Sequence, residues 1–345
     1  MGGAHAQMMS AAELSIGVRV EKVIAADVRA SLRQGGPLVK TYGPRGTVHL
    51  LPRAELPLWC AALGSAPAHS SLSPDVRLSV AQVGETVDAI GSSLAARGPL
   101  DADELGAAVV ARLGPWAAEP VVPAFGGWWP RWRQAIAIAA YRGVLAFGDN
   151  RGSRVTYVNP DVNVEPDPRL AVGCLLRRFL TTYGPATPEH FGRWLGVRKT
   201  WASEQFAFHS SELEAVTVAG ELAYVVAGDT AMPAGPIRGA TLLPHFDPYV
   251  IGSFPRELLF PGAAAARALG RGQAGVHPVL LIDGVVAGVW SSQRAGSLLT
   301  ITVEPVSPFS KSSRSDIVAA AQRIGEFLEV ETALAVGTVT TGAHK

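Results

Sequence analysis

At 345 residues and 36.1 kDa, with 48% hydrophobic residues, the chain exceeds what one small core can organise and suits two to four modules. Its apolar runs, such as Val279–Ile282, are too short for a bilayer span, and no basic stretch followed by an apolar run opens it, so a soluble cytoplasmic protein is expected. The net charge of +1 excludes no partner, but it is unevenly spread: residues 1–53 carry +4, 54–125 carry −5, 126–200 carry +6 and 201–345 carry −4. Two basic blocks could form one positive surface if they fold side by side. Arginine outnumbers lysine 25 to 5, a bias that suits phosphate gripping and that a GC-rich genome would also produce.

The pattern predicts a helix over Ala11–Val18 and another over Ala25–Gln34, stopped by Gly35-Gly36. Leu38–Tyr42 and Thr47–Leu51 read as strands around the turn Gly43-Pro44-Arg45-Gly46. Helices follow over Val80–Ala96, from Leu100–Glu104 to Leu113, and over Trp129–Arg142. Val144–Phe147 and Arg154–Val158 then form a hairpin. The order recurs: helices over Arg169–Tyr183, Glu189–Leu195 (N-cap Thr187, with Pro188 in the first turn) and Arg198–Phe208, then the hairpin Glu214–Val218 and Leu222–Val226. After Pro233-Ala234-Gly235-Pro236 the texture changes to strands over Ala240–Leu243, Val279–Ile282, Val285–Trp290 and Leu298–Val303, with Asp283-Gly284 as a hairpin turn. A closing helix spans Asp316–Leu328, and Thr338–Lys345 reads as a frayed end.

Helices followed by a basic-tipped hairpin are the order of a winged-helix module. The expected fold is α+β: three tandem winged-helix modules, the first incomplete, followed by a small β-rich, barrel-like C-terminal domain. The expected boundaries are 1–70, 71–165, 166–232 and 233–345. Winged helices place a helix in a groove and a basic wing on the backbone. Arg131 and Arg133 on a helix, Arg151 and Arg154 on a wing, and Arg193, Arg198 and Lys199 around the third module's recognition position are therefore candidate DNA contacts. Winged helices also serve as protein-interaction modules. Trp128-Trp129-Pro130-Arg131-Trp132 either stacks on bases or packs as core.

Cys60 and Cys174 lie in apolar segments and read as small buried side chains. The sequence has no CxxC or HExxH pattern, so no metal is expected; His245, Asp247 and His277 are metal-ligand types, but an imidazole and a carboxylate at i, i+2 are common without a metal. No heptad seam drives dimerisation, and a monomer is expected.

The segment His5-Ala6-Gln7-Met8-Met9-Ser10-Ala11-Ala12-Glu13-Leu14 resembles the catalytic segment of the AlkZ/YcaQ-like family of DNA glycosylases, in which a polar–apolar–polar triplet carries the chemistry. The resemblance continues through Arg45-Gly46-Thr47-Val48-His49-Leu50, Tyr183-Gly184-Pro185-Ala186-Thr187, Leu242–Tyr249 and Val279–Trp290, and so covers nearly the whole chain. It implies hydrolysis of the N-glycosidic bond of bulky alkylated purines of the N7-alkylguanine type in duplex DNA, without cofactor, by a nucleoid-associated protein of repair or self-resistance. It assigns His5 and Gln7 as catalytic, Gln7 positioning water and His5 acting as its partner or base. Their i, i+2 spacing puts both on one face only in extended chain, so the triplet is expected outside a helix. His49, His245 and Asp247 are candidates for lining or supporting the pocket. Arg45 and Thr47 on the first wing, and Arg294 in the hairpin tip Gln293-Arg294-Ala295-Gly296, join the candidate DNA contacts. Family members usually carry several tens of residues ahead of the triplet, so the first module is expected to lack its first helices. The alternative function is a non-catalytic winged-helix DNA-binding protein, such as a transcriptional regulator.

Overall fold

The structure is a computed structural model, and residues 1–67, 72–124, 126–164, 167–231, 235, 237–269 and 277–340 are described. Pro233, Ala234 and Pro236 of the expected linker, and residues 341–345 of the expected frayed end, lie outside them. The architecture is mixed α and β.

A short strand β1 (Ala4–His5) leads into α1 (Met9–Gly17) and α2 (Ala25–Ser31). β2 (Leu38–Tyr42) and β3 (Val48–Pro52) pair antiparallel, from Leu38 with Pro52 to Tyr42 with Val48. α3 (Leu56–Ser65), α4 (Val80–Arg97), β4 (Leu100–Asp101) and α5 (Ala102–Leu113) follow. Reciprocal caps start the two longer helices: Ser79 with Gln82, and Asp101 with Glu104.

The expected helix over Trp129–Arg142 is not formed. β5 (Pro120–Ala124) and β6 (Gly127–Pro130) make a hairpin, Arg131–Ala135 is a 3-10 turn, and only α6 (Ile136–Tyr141) is α-helical. Pro130 explains the difference, because its ring pushes Trp129 into extended backbone and it has no N–H to continue a helix. β7 (Ala146–Phe147) and β8 (Thr156–Val158) join β4 in a sheet of order β4-β8-β7.

α7 (Pro168–Tyr183), α8 (Pro188–Leu195) and α9 (Lys199–Phe208) precede the hairpin β9 (Leu213–Val218) and β10 (Glu221–Val226). Beyond it lie β11 (Ala240–Leu243) and three short helices, α10 (Pro248–Gly252), α11 (Arg256–Leu259) and α12 (Ala263–Ala268). β12 (Val279–Ile282), β13 (Val285–Ala295), β14 (Leu298–Pro305), α13 (Lys311–Leu328) and β15 (Glu331–Val336) complete the chain.

The C-terminal sheet is open rather than barrel-like. Its order is β11-β12-β13-β14-β15, with β15 parallel to β14 and the other pairs antiparallel. A parallel neighbour needs a crossover, here α13, and that helix buries Ile317, Ala321, Ile324 and Phe327 instead of letting the sheet curl closed.

The chain divides into two compact units. One comprises Met1–Ala30, Arg178–Trp194 and Ser210–Lys345; the other comprises Ser31–Arg177 and Leu195–His209. In the first, Leu243, Val250, Phe260, Val279, Val286 and Val289 form the core beside the sheet, and the buried Trp290 indole donates to the Leu243 carbonyl at 2.9 Å. α1 reaches α13 through Gly17, where a Cβ would fall 2.4 Å from the Phe327 ring, so the approach is open only to glycine. In the second unit, Ile90, Leu94, Leu105, Val109, Trp132, Ala139 and Leu145 pack together. Among the described residues, no helix is long and apolar enough to cross a membrane.

Candidate active site

The N-terminal segment of the first unit is anchored. Ala4 and Ala6 are buried, and a Cβ on Gly2 would meet the Trp194 indole at 2.8 Å, so the backbone lies directly on that ring. His5, only 6% exposed, ends β1; Gln7 is exposed in the turn between β1 and α1. The triplet therefore sits outside the helix, with a buried imidazole and a solvent-facing amide on either side of Ala6.

His5 meets the loop between β11 and α10. Its ring lies 5.2 Å from that of Phe246, tilted by 47°, and Phe246 in turn lies 6.0 Å from the ring of His245. Phe246 has φ +56, in the left-handed region that a bulky side chain rarely occupies.

The next residue, Asp247, is wholly buried and satisfied by hydrogen bonds. The Arg19 guanidinium donates to both its oxygens, at 2.7 and 2.8 Å. The Ser15 hydroxyl donates at 2.8 Å, and the Tyr249 backbone N–H at 2.9 Å, so that Asp247 also caps α10. Burial pulls the Arg19 pKa down, but the hydrogen bond and charge of Asp247 outweigh it and leave the guanidinium more basic than usual. A carboxylate with this many donors has no capacity left to activate a water. Its effect is to tie α1 to the loop that carries Phe246.

A second ion pair steadies the same helix: Arg29 of α2 grips the buried Glu13 with two hydrogen bonds, at 2.9 and 2.8 Å. Ser15, Arg19 and Phe246 were missed by reading the sequence. The spacing of Ser15 and Arg19, one helical turn apart, is the only local signal for two of them.

Of the other candidates, Arg294 belongs to the first unit. It is exposed at the tip of the β13–β14 hairpin, where its Nε donates to the Gly296 carbonyl at 3.1 Å. Arg193 also belongs to that unit, paired with Glu189 at 2.6 Å; the rest lie in the second unit. His49 is buried beside Gly43, its Nδ1 2.9 Å from the Thr47 carbonyl oxygen. The Thr47 hydroxyl donates to the Pro44 carbonyl at 3.0 Å, and Arg45 stands at φ +61 in that turn. Arg131 is held by Glu119 at 2.5 Å, Arg151 by Glu104 at 2.9 Å and Arg154 by Asp101 at 2.8 Å. The backbone N–H of Glu104 and then Arg154 hold the Asp101 carboxyl below its ordinary pKa. Arg133 stacks 4.5 Å over Trp129 and 5.9 Å from Trp132. Arg198 immediately precedes α9 in extended backbone, without a side-chain capping hydrogen bond, and Lys199 is the helix's first residue. Trp132 is core at 2% exposure, whereas Trp128 and Trp129 stand at the surface.

The DNA glycosylase AlkZ-like family matches residues 1–327. The interstrand DNA cross-link repair glycosylase of Streptomyces sahachiroi is 30% identical, the match covering 84% of this chain and 79% of the relative. The solved structure of the Streptomyces sahachiroi DNA glycosylase AlkZ superposes with a TM-score of 0.77 at 27% identity, over 97% of this chain and 91% of that one. The family match spans both compact units and the anchored triplet, and the chain belongs to the AlkZ-like family of DNA glycosylases.

Proposed function

We propose that the protein is a monofunctional DNA glycosylase that removes bulky alkylated purines, of the N7-alkylguanine type, from duplex DNA in repair or self-resistance. The observation that carries this reading is the anchored His5-Ala6-Gln7 segment, with its imidazole buried against Phe246 and its amide open to solvent, in a chain of the AlkZ-like family. The activity for which the Streptomyces relative is named, repair of interstrand cross-links, supports a bulky lesion.

The chemistry suits weak groups. An N7-alkylguanine already carries a positive charge. When its N9–C1′ bond breaks, the electron pair flows into the purine, which leaves neutral and needs no general acid. The remaining work is to deliver water to an oxocarbenium-like C1′ and to take up its proton. Gln7 positions the water through its amide, and His5 accepts the proton as a neutral imidazole. His245 borders the same loop, and Asp247 supports it. The reaction as written uses no metal or organic cofactor.

Double-stranded DNA is held by winged-helix surfaces through Arg45, Thr47, Arg133, Arg198 and Lys199, and by the C-terminal β13–β14 hairpin through Arg294, by a monomer working on chromosomal DNA in the cytoplasm. Arg131, Arg151 and Arg154 join them only by exchanging a carboxylate for a phosphate. The test is incubation with an N7-alkylguanine duplex, read as heat-labile abasic sites. Wild type releases base, and His5→Ala and Gln7→Ala each lose roughly a hundredfold or more in rate. Duplex binding without base release by wild type would replace this reading with that of a DNA-binding regulator.

A further inference from the structure

We infer that Phe246 is a positioning residue that sets the orientation of the His5 imidazole; the inference rests on the glycosylase reading above. Two sets of contacts close a circuit. His5 leads through Ala6 and Gln7 into α1. Ser15 of α1 and Arg19 just beyond it bind Asp247, and the residue before Asp247 is Phe246, whose ring returns to His5 at 5.2 Å. Every segment of this circuit lies in one compact unit.

The backbone at Phe246 is the telling feature. At φ +56 glycine would sit without strain and asparagine nearly so, yet the chain places a large aromatic there. Such a conformation persists only where its surroundings over-determine it, and strained residues of this kind gather at functional sites. Here the four hydrogen bonds into Asp247, on the adjoining residue, one of which caps α10, fix the backbone that follows. The ring is thereby committed to one direction and contacts the imidazoles of both His5 and His245.

Filling space does not need this arrangement, since a leucine or methionine on a relaxed loop would fill it. A flat, rigid face does: tilted ring packing restricts rotation of the smaller imidazole, whereas a branched aliphatic chain leaves several orientations open. An imidazole that must accept a proton from one water gains from that restriction, because a group misplaced by about an ångström can lose roughly a hundredfold in rate.

The test uses single-turnover base release at saturating protein, duplex affinity and His5 imidazole NMR signals in the 345-residue chain. Phe246→Leu is expected to slow release about tenfold or more, with affinity for the lesion duplex within twofold of wild type. Phe246→Tyr, which keeps the ring, restores the rate to within about threefold of wild type and keeps the His5 proton shifts; Phe246→Leu moves them. In a His5→Ala background Phe246→Leu causes no further loss, because two groups acting through one step are not additive. Equal further slowing in that background, weakened binding at an unchanged saturated rate, or unmoved His5 signals in Phe246→Leu would each overturn the inference. A wild type that releases no base while Phe246→Leu still moves the His5 signals would sink the glycosylase reading and leave the positioning contact standing. If Phe246→Leu does not fold, Arg19→Lys replaces it, loosening the clamp from the other end, with the same readouts.

Discussion

The Arg19–Asp247 pair predicts an asymmetric mutant cycle. Asp247→Ala removes both guanidinium bonds, the Ser15 bond and the α10 cap, but it leaves behind an arginine whose side chain is 29% exposed and can rehydrate. Breaking a buried pair costs about 3–5 kcal/mol, and partial exposure of the survivor puts this variant near the lower end, about 3 kcal/mol. Arg19→Ala does the reverse. It strands a carboxylate at 0% side-chain exposure with one hydroxyl and one N–H, and the expected cost is about 4–5 kcal/mol. For a chain of this length each kcal/mol moves the melting temperature by about 1.4 °C, so the expected losses are about 4 °C and about 6–7 °C. The double variant should fall short of the sum by at least about 1.5 kcal/mol, since neither charge is then stranded. Urea titrations followed by circular dichroism measure all four corners. Singles that add within about 0.5 kcal/mol, or an Asp247→Ala variant less stable than Arg19→Ala, would refute the account of the site as clamped by a buried carboxylate.

Two further outcomes follow from local environments. Burial pushes the Cys60 thiol up to about 12, so iodoacetamide at pH 8 should modify it only after denaturation; rapid labelling of the native protein, mapped by mass spectrometry, would contradict the packing beneath α3. Arg267, bonded at 2.7 and 2.8 Å, and the Val339 N–H hold the Glu304 carboxyl down at about 2. The folded protein then binds fewer protons there than the unfolded chain, whose glutamate titrates near about 4.3, so the stabilisation is complete above about pH 5 and disappears as pH falls towards 2. The stability gap between wild type and Glu304→Gln should close over that window, and a gap of constant size would show that the charge contributes nothing.

Local chemistry was legible where one residue type dictates a conformation. Asp283 and Gly284 both have positive φ, as the two-residue hairpin turn requires, and β12 pairs with β13 across them. The Thr187 hydroxyl accepts the His190 N–H at 3.2 Å, as an N-cap should. β15 carries little signal of its own, because Ala333 and Ala335 occupy the middle of the short Glu331–Val336, and it becomes a strand through the parallel neighbour that α13 delivers. The site divides the same way. His5 and Gln7 emerged from resemblance to a family, not from their residue types. The clamp joins residues 228 positions apart, and nothing near Phe246 announces a left-handed aromatic. Contacts between distant segments impose such features, and a periodicity cannot encode them.

Counts of arginine overstate the field available to DNA for a related reason. Residues 126–200 carry +6, yet Arg131, Arg151, Arg154 and Arg193 each sit against a carboxylate. Around the Arg151–Arg154 turn, the start of α5 contributes Asp101, Asp103 and Glu104, so two cations face three anions. Exposed pairs of this kind are worth only about 0–1 kcal/mol each, and a phosphate could displace them, but the released carboxylates would then repel that same phosphate. Arg133 differs in kind. Its guanidinium is held by the faces of Trp129 and Trp132, which fix its direction without cancelling its charge. Among the described residues no carboxylate is paired with Arg133, so its attraction for a phosphate is not offset in the way that of Arg131, Arg151 and Arg154 is.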